Sequence, residues 1–122
     1  MATCGLWPAR DGLVAVVADD DGRLISTHLA IRNDADCSDL IHHLDETEGL
    51  DWQLVLPEHH RANSVAQIAA ENAVAVWIAP RRLVEPIRIA AGLTTGPPRR
   101  SALLLARIPL SSLRACLRPL GR

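Results

Sequence analysis

The sequence contains no lysine, phenylalanine or tyrosine, and no acidic residue follows Glu85. Every fixed positive side chain is therefore an arginine, whose planar guanidinium suits phosphates, carboxylates and aromatic faces. Apart from histidine, the only aromatic residues are three tryptophans, so the chain lacks the stacking surfaces that commonly bind single-stranded nucleic acid. Phosphate contact by arginine is the mode of nucleic-acid binding that the composition leaves open.

Cysteines and long apolar runs are also scarce. Cys4, Cys37 and Cys116 are isolated and lack the paired spacing of a zinc ribbon or a disulfide framework. The sequence shows no secretory signal, and no apolar run approaches the roughly 20 residues that cross a bilayer. We therefore expect a soluble, cytoplasmic protein with no membrane partner, in which Cys37 is a small core residue.

Charge is divided unevenly along the chain. Residues 1–60 hold 12 acids and three arginines, whereas residues 61–122 hold ten arginines and two acids. Such a distribution can direct a polyanion to one face, or it can draw together the two halves of one molecule or two copies of the chain. The sequence leaves both possibilities open.

Short apolar runs predict five strands, separated by turn residues and helices. The runs cover residues 2–7, 12–18, 23–31, 52–57 and 74–80. Asp21-Gly22 supplies the positive φ of a tight hairpin between the second and third strands. Asn33 is a helix cap, and an apolar stripe follows it until Gly49. Further helices are predicted over residues 62–73 and 81–92 and after Pro98.

This order of elements is that of a ribonuclease H-like α/β fold. It predicts a mixed five-stranded sheet, in which a three-strand antiparallel meander is followed by parallel strands, with helices on the faces of the sheet. We expect residues 1–96 to form this domain. Residues 97–122 are predicted to be a basic C-terminal helical segment that packs on the domain or on a partner.

Several short segments resemble, in order, the motifs of one enzyme family. The family is the N-terminal RuvC-like domain of DEDD transposases of the one-ten group of insertion sequences and of the related pilin-gene inverting recombinases. The segments are "CGLW", "ADDDGRLIS", "LVLPE", "WIAPRRLVEPIRIAAGL" and "GPPRRSALLLARI". In order along the chain, they line up with a G-[IV]-D strand, a D-x-D-G hairpin, E-x-T-G, N-P and K-T-D-x-x-D-A-x-x-L-A, but not at every motif residue.

The resemblance also shows which family residues are missing. Trp7 stands at the first aspartate position, and Pro98 and Ser101 stand at the two late aspartate positions, so Glu58 is the one carboxylate kept. Two-metal phosphoryl transfer needs several carboxylates around two Mg²⁺ ions about 4 Å apart. The resemblance therefore implies a catalytically degenerate, transposase-like domain with no catalytic residue, no metal and no cofactor.

Two other hypotheses come from different functional classes. A diverged metal-dependent nuclease would use Mg²⁺ or Mn²⁺ held by Glu58 together with Asp11, Asp19 or a histidine. The paired histidines have no standard ligand spacing and are predicted to be solvated loop ends; they are His42, His43, His59 and His60. The remaining hypothesis is a structural homo-oligomer that binds no nucleic acid.

The basic segment after Glu85 carries the predicted binding residues, which are Arg99, Arg100, Arg107, Arg114 and Arg118. They are predicted to contact the phosphates of double-stranded DNA or an acidic partner subunit. An apolar stripe of Leu113, Cys116 and Leu117 in the tail favours a homodimer contact. The serines at positions 101, 111 and 112 precede apolar runs and are predicted to be helix caps.

Overall fold

The structure, a computed structural model, describes residues 1–49 and 51–120. Its strands are β1 (Ala2–Ala9), β2 (Gly12–Ala18), β3 (Leu24–Ile31), β4 (Trp52–Pro57), β5 (Ala75–Ala79) and β6 (Arg118–Pro119). Its α-helices are α1 (Asp34–Glu48), α2 (Asn63–Glu71), α3 (Arg81–Ala90) and α4 (Pro98–Arg107). One mixed sheet has the order β3-β2-β1-β4-β5-β6, so the predicted α/β class with a mixed sheet is confirmed.

The predicted meander is present. Strands β1, β2 and β3 pair antiparallel, and β4 runs parallel to β1. Strand β5 then runs parallel to β4 after the crossover through α2. In the turn between β2 and β3, Gly22 has a φ of 79°, and the Asp19 carboxylate accepts hydrogen bonds from the N–H groups of Asp21 and Arg23, both at 2.9 Å.

The prediction of five strands was wrong, because the C-terminal segment adds a sixth. Strand β6 pairs antiparallel with β5, and the N–H of Leu120 donates to the carbonyl of Val76 at 3.0 Å. Leu117 is buried and Leu113 packs beside it on the domain's own core, whereas Cys116 is exposed. Two of the three side chains that had favoured a dimer contact, Leu113 and Leu117, thus pack within the chain. Residues 121–122 of the predicted segment lie outside the described residues.

One large apolar core covers one face of the sheet, and two smaller apolar clusters cover the other. Helices α1 and α2 pack on one face, where Cys4 and Cys37 are buried. Burial raises the pKa of both thiols, to about 11 for Cys37, which agrees with a core role for that residue. Trp52 is also buried, and its indole N–H donates to Asp45 at 2.8 Å.

Helix α4 packs directly on β1 on the opposite face. A Cβ atom at Gly5 would collide with the carbonyl oxygen of Ala102 and lie 2.7 Å from the amide nitrogen of Ala106. Glycine at this position lets the helix approach the strand backbone. Ser101, Ala102, Leu105 and Ala106 are the buried residues of the helix. Among the helices of the described residues, none is long and apolar enough to cross a membrane.

Candidate functional site at the carboxyl edge of the central strands

Strands β1, β4 and β5 are parallel and end at the same edge of the sheet, which we call the carboxyl edge. Gly5 pairs with Val55 in the parallel register, so Trp7 near the end of β1 and Glu58 just after β4 lie at the same end of the sheet. Ligands in open α/β sheets commonly bind at this end. The carboxyl edge is therefore the place to examine for chemistry.

A tryptophan and an arginine occupy the centre of this edge. The guanidinium carbon of Arg88, on α3, lies 4.3 Å from the centroid of the Trp7 ring. This distance is well within the range of a cation–π contact, which contributes about 0.5–2 kcal/mol depending on solvent exposure. Trp7 thus holds a cation against its aromatic face at the carboxyl end of β1.

Two further groups hold the Arg88 guanidinium in place. Its Nε donates to the Ser101 hydroxyl oxygen at 3.0 Å, and its Nη1 donates to the Glu85 carboxylate at 3.0 Å. The Arg88 side chain is 14% exposed, so its charge is largely shielded from water. The prediction that Ser101 caps a helix was wrong, because Pro97 is the cap residue of α4 and Ser101 lies inside the helix.

Glu58 has local partners of its own. Its carboxylate accepts a hydrogen bond from the backbone N–H of Arg81 at 3.2 Å, at the first residue of α3. It also pairs with the Arg118 guanidinium on β6 at 3.7 Å. A carboxylate at a helix N-terminus is stabilised by the free N–H groups and the helix dipole. Glu58 therefore links β4, α3 and β6 at the carboxyl edge.

A cavity of about 420 Å³ lies between these groups. Its polar lining comes from Glu58, Glu85, Arg81, Arg88 and His59, and Trp7 forms part of its apolar wall. A wider groove of about 950 Å³ adjoins it, with Glu58, Arg81 and Glu85 in both linings; the groove also contacts Arg82, Cys116 and Arg118. The carboxyl edge is thus an open, arginine-lined surface.

His59, which lines the cavity, also lies close to positively charged side chains. Partial burial lowers the pKa of its imidazole, and the neighbouring His60, Arg61 and Arg81 lower it further. His59 Nδ1 accepts a hydrogen bond from the N–H of Arg61 at 3.1 Å. The ring stacks on that of His60, with 4.4 Å between the centroids. A proton on His59 is disfavoured beside this concentration of positive charge.

The residues at the carboxyl edge do not fit the pair of divalent cations that two-metal phosphoryl transfer requires. Trp7 offers no oxygen ligand, Pro98 has no side-chain donor atom, and the Ser101 hydroxyl accepts a hydrogen bond from Arg88. Within residues 1–49 and 51–120, no group of three or more His, Cys, Asp or Glu side chains could hold a metal. Hard cations need several oxygen ligands, which Trp7, Pro98 and Ser101 do not supply.

Of the other proposed ligands, Asp19 lies away from this edge, whereas Asp11 lies in the turn at the carboxyl end of β1 and His59 lines the cavity. Asp19 follows β2 at the opposite edge, since Ala18 pairs with Thr3 while Trp7 pairs with Val14. Asp11, in the turn between β1 and β2, is exposed.

His42 and His43 are exposed on α1, on the other face of the sheet, where the His43 ring meets that of His28 edge-on with 5.2 Å between the centroids. The paired histidines therefore do not meet as one cluster.

The structure separates the five predicted arginines along the molecule. Arg99 and Arg100 are exposed in the first turn of α4, at the end where Ser101 contacts Arg88. Arg118 lies at the same carboxyl edge through its pair with Glu58. Arg107 is about 9 Å further along the helix axis from Ser101, and its Nε donates to the Gly22 carbonyl in the β2–β3 turn at 2.8 Å.

Arg114 is exposed in a short 3-10 helix, Ser112–Cys116. The Ser111 hydroxyl accepts a hydrogen bond from the N–H of Leu113 at the start of this turn, so the predicted cap is confirmed at that serine. Cys116 at the end of the turn lines the wider groove with Arg118. The turn therefore leads the chain back to the carboxyl edge.

Sequence reasoning did not identify the arginines of α3 as site residues. Arg81 and Arg88 both line the cavity, and Arg82 lines the adjoining groove. A spacing of seven residues places Arg81 and Arg88 on the same face of a helix. That spacing was the available signal, but it does not show which sheet edge the helix face meets.

Comparison with known proteins relates the fold to a solved structure. No protein family model matches the chain, and no curated protein matches it. The fold is similar to that of T. thermophilus RuvC, solved in complex with a Holliday junction substrate, with a TM-score of 0.66 and 16% sequence identity. The match covers 98% of this chain and 99% of that one. The chain therefore has a RuvC-like form of the ribonuclease H-like fold, as the order of its predicted elements had indicated.

Proposed function

We propose that this chain is a transposase-derived RuvC-like domain that has lost two-metal phosphoryl transfer and acts as a binding module. Its arginines would contact the phosphate backbone of double-stranded DNA at the carboxyl edge. The observation that carries this proposal is the Trp7–Arg88 contact, which puts a guanidinium where the family resemblance predicts carboxylates and metal ions. Such an edge favours an anion over a divalent cation.

The distribution of the remaining arginines supports a binding surface around this contact. Arg81, Arg82, Arg99 and Arg100 are exposed, and no acid follows Glu85 in the sequence to neutralise the last two. Phosphate contacts by arginine bind the duplex without reading its sequence. We therefore expect binding of double-stranded DNA with little preference for base sequence.

The dependence of binding on salt tests this proposal. Each phosphate contact on duplex DNA contributes a slope of about −0.9 to log affinity against log salt concentration. R99A should flatten the slope by about 0.9 units, and R99A/R100A should flatten it by about 1.8. R23A is the matched control, because Arg23 is also exposed but lies in the turn at the opposite edge. Its slope should equal that of the unmodified protein.

Sedimentation and a cleavage assay with Mn²⁺ separate the competing functions. If the arginines instead contact the acidic half of a second copy, rising salt will dissociate a dimer in sedimentation experiments, and no duplex binding will be found at low salt. If the domain is a diverged nuclease, DNA will be cleaved when Mn²⁺ is added, and E58A will abolish that cleavage. Either result would overturn the proposed binding function.

A further inference from the structure

The Arg88 guanidinium lies at the meeting point of three structural elements. It contacts Trp7 on β1 and Ser101 on α4, and Arg88 itself belongs to α3 together with its partner Glu85. Trp7 and Ser101 are two of the positions at which the family resemblance predicts metal-binding carboxylates. One positive charge therefore occupies the centre of a region where several negative ligands and two cations were expected.

We infer that Arg88 is a built-in cation, which takes the place of the divalent ions and holds the carboxyl edge together without a metal. The inference goes beyond the proposed DNA binding, because it concerns how the edge is assembled and applies whether or not DNA binds. It rests on the partners and burial of one guanidinium, not on the behaviour of the arginine-rich surface around it.

The geometry favours a fixed structural charge over a mobile surface arginine. The guanidinium has an aromatic face at 4.3 Å, a hydroxyl acceptor at 3.0 Å and a carboxylate acceptor at 3.0 Å. These contacts come from different directions, and the Arg88 side chain is 14% exposed. A cation shielded in this way interacts strongly with its partners and is expensive to leave without them.

The same charge opposes metal binding in the adjoining cavity. A divalent ion there would lie close to the guanidinium, which lines the cavity wall, and would be repelled by it in a partly desolvated region. Carboxylates restored at the family positions would also be drawn to Arg88 and would pair with it. Restoring the carboxylates while Arg88 is retained should therefore not restore a metal site.

Reconstruction of the carboxylates provides the main test. The variants are W7D/S101D, the same pair with R88A, and the same pair with R82A as a matched control that removes an arginine from the neighbouring groove. Isothermal titration calorimetry with MnCl₂ alone measures binding, and circular dichroism verifies folding. We expect the variant containing R88A to bind Mn²⁺ at least tenfold more tightly than the other two. Equal affinities in all three, including no binding in any, would overturn the inference.

Single substitutions supply a second test that does not depend on the folding of those variants. R88M keeps an unbranched apolar stem but removes the charge and its hydrogen bonds, whereas R88K keeps the charge. The melting temperature of R88M should fall by about 5 °C or more relative to R82M, and that of R88K should fall by less than that of R88M. Equal melting temperatures for R88M and R82M would show that Arg88 does not hold the edge together.

Discussion

Replacing Gly5 by alanine tests the packing that brings Ser101 to the carboxyl edge. The added Cβ would collide with the carbonyl oxygen of Ala102 and approach the amide nitrogen of Ala106 to 2.7 Å. Both are backbone atoms of α4, so no side-chain rotation can relieve the contact, and the helix must move away from β1. Overpacking of this kind costs about 1–3 kcal/mol, and occasionally more.

We expect G5A to fall at the upper end of that range, with an unfolding free energy lower by about 3 kcal/mol. The matched control is G96A, whose Cβ would have as its nearest neighbours two atoms of the Arg100 side chain, at 3.4 Å and 3.7 Å, and one carbonyl oxygen at 3.8 Å. G96A should be neutral, or more stable by up to about 1 kcal/mol through its effect on the unfolded chain.

Urea unfolding monitored by tryptophan fluorescence measures both variants. If the slope of the unfolding free energy against urea concentration is the same for both proteins, the difference between their unfolding midpoints gives the difference in stability. The reasoning would be refuted if the stability of G5A lay within about 0.5 kcal/mol of the unmodified protein, which is the range of ordinary surface substitutions. In that case α4 would not lie against β1 as closely as described, and the position of Ser101 beside Arg88 would lose its support.

Two further predictions concern buried polar groups. The buried Gln53 amide donates to the Thr3 hydroxyl at 3.0 Å. T3V leaves this buried donor unpaired and should lower the unfolding free energy by about 1–3 kcal/mol. The control T27V, at an exposed position of the edge strand β3, should change it little. Burial, and to a smaller extent His43, lowers the pKa of His28. The unfolded chain therefore binds a proton more readily at this histidine than the folded protein does. Stability should accordingly fall as the pH drops from 7.5 to 5. H28Q should show a shallower loss over that interval in urea unfolding at each pH, and an unchanged pH dependence would contradict this cause.

Much of the fold could be predicted because its signals are local. The β-branched run of β2, the Asp21-Gly22 turn and the Asn33 cap each depend on a few neighbouring residues, and all three are present. The strand β6 could not be predicted in this way. It contains only Arg118 and Pro119, so its pairing depends on β5 being already in place and leaves no periodic pattern in the sequence.

The candidate site was less predictable for a related reason. Trp7 and Glu58 were identified through the resemblance to the transposase motifs, and the parallel pairing of β1 with β4 brings both to one edge. Arg88 was missed because its role depends on the packing of α3 beside β1 and α4. Ser101 was misread as a cap, because a serine before an apolar run has the same local pattern whether it begins the helix or lies in its first turn.

The most direct test of the central claim compares binding and cleavage in one sample. Radiolabelled linear duplex and four-way-junction DNA are incubated with the protein at low salt, with either EDTA or MnCl₂, and examined on native and denaturing gels. The account predicts that DNA is bound equally well in both conditions and is recovered intact. Strand cleavage that appears with Mn²⁺ and disappears with EDTA would contradict it, as would the absence of any DNA binding in both.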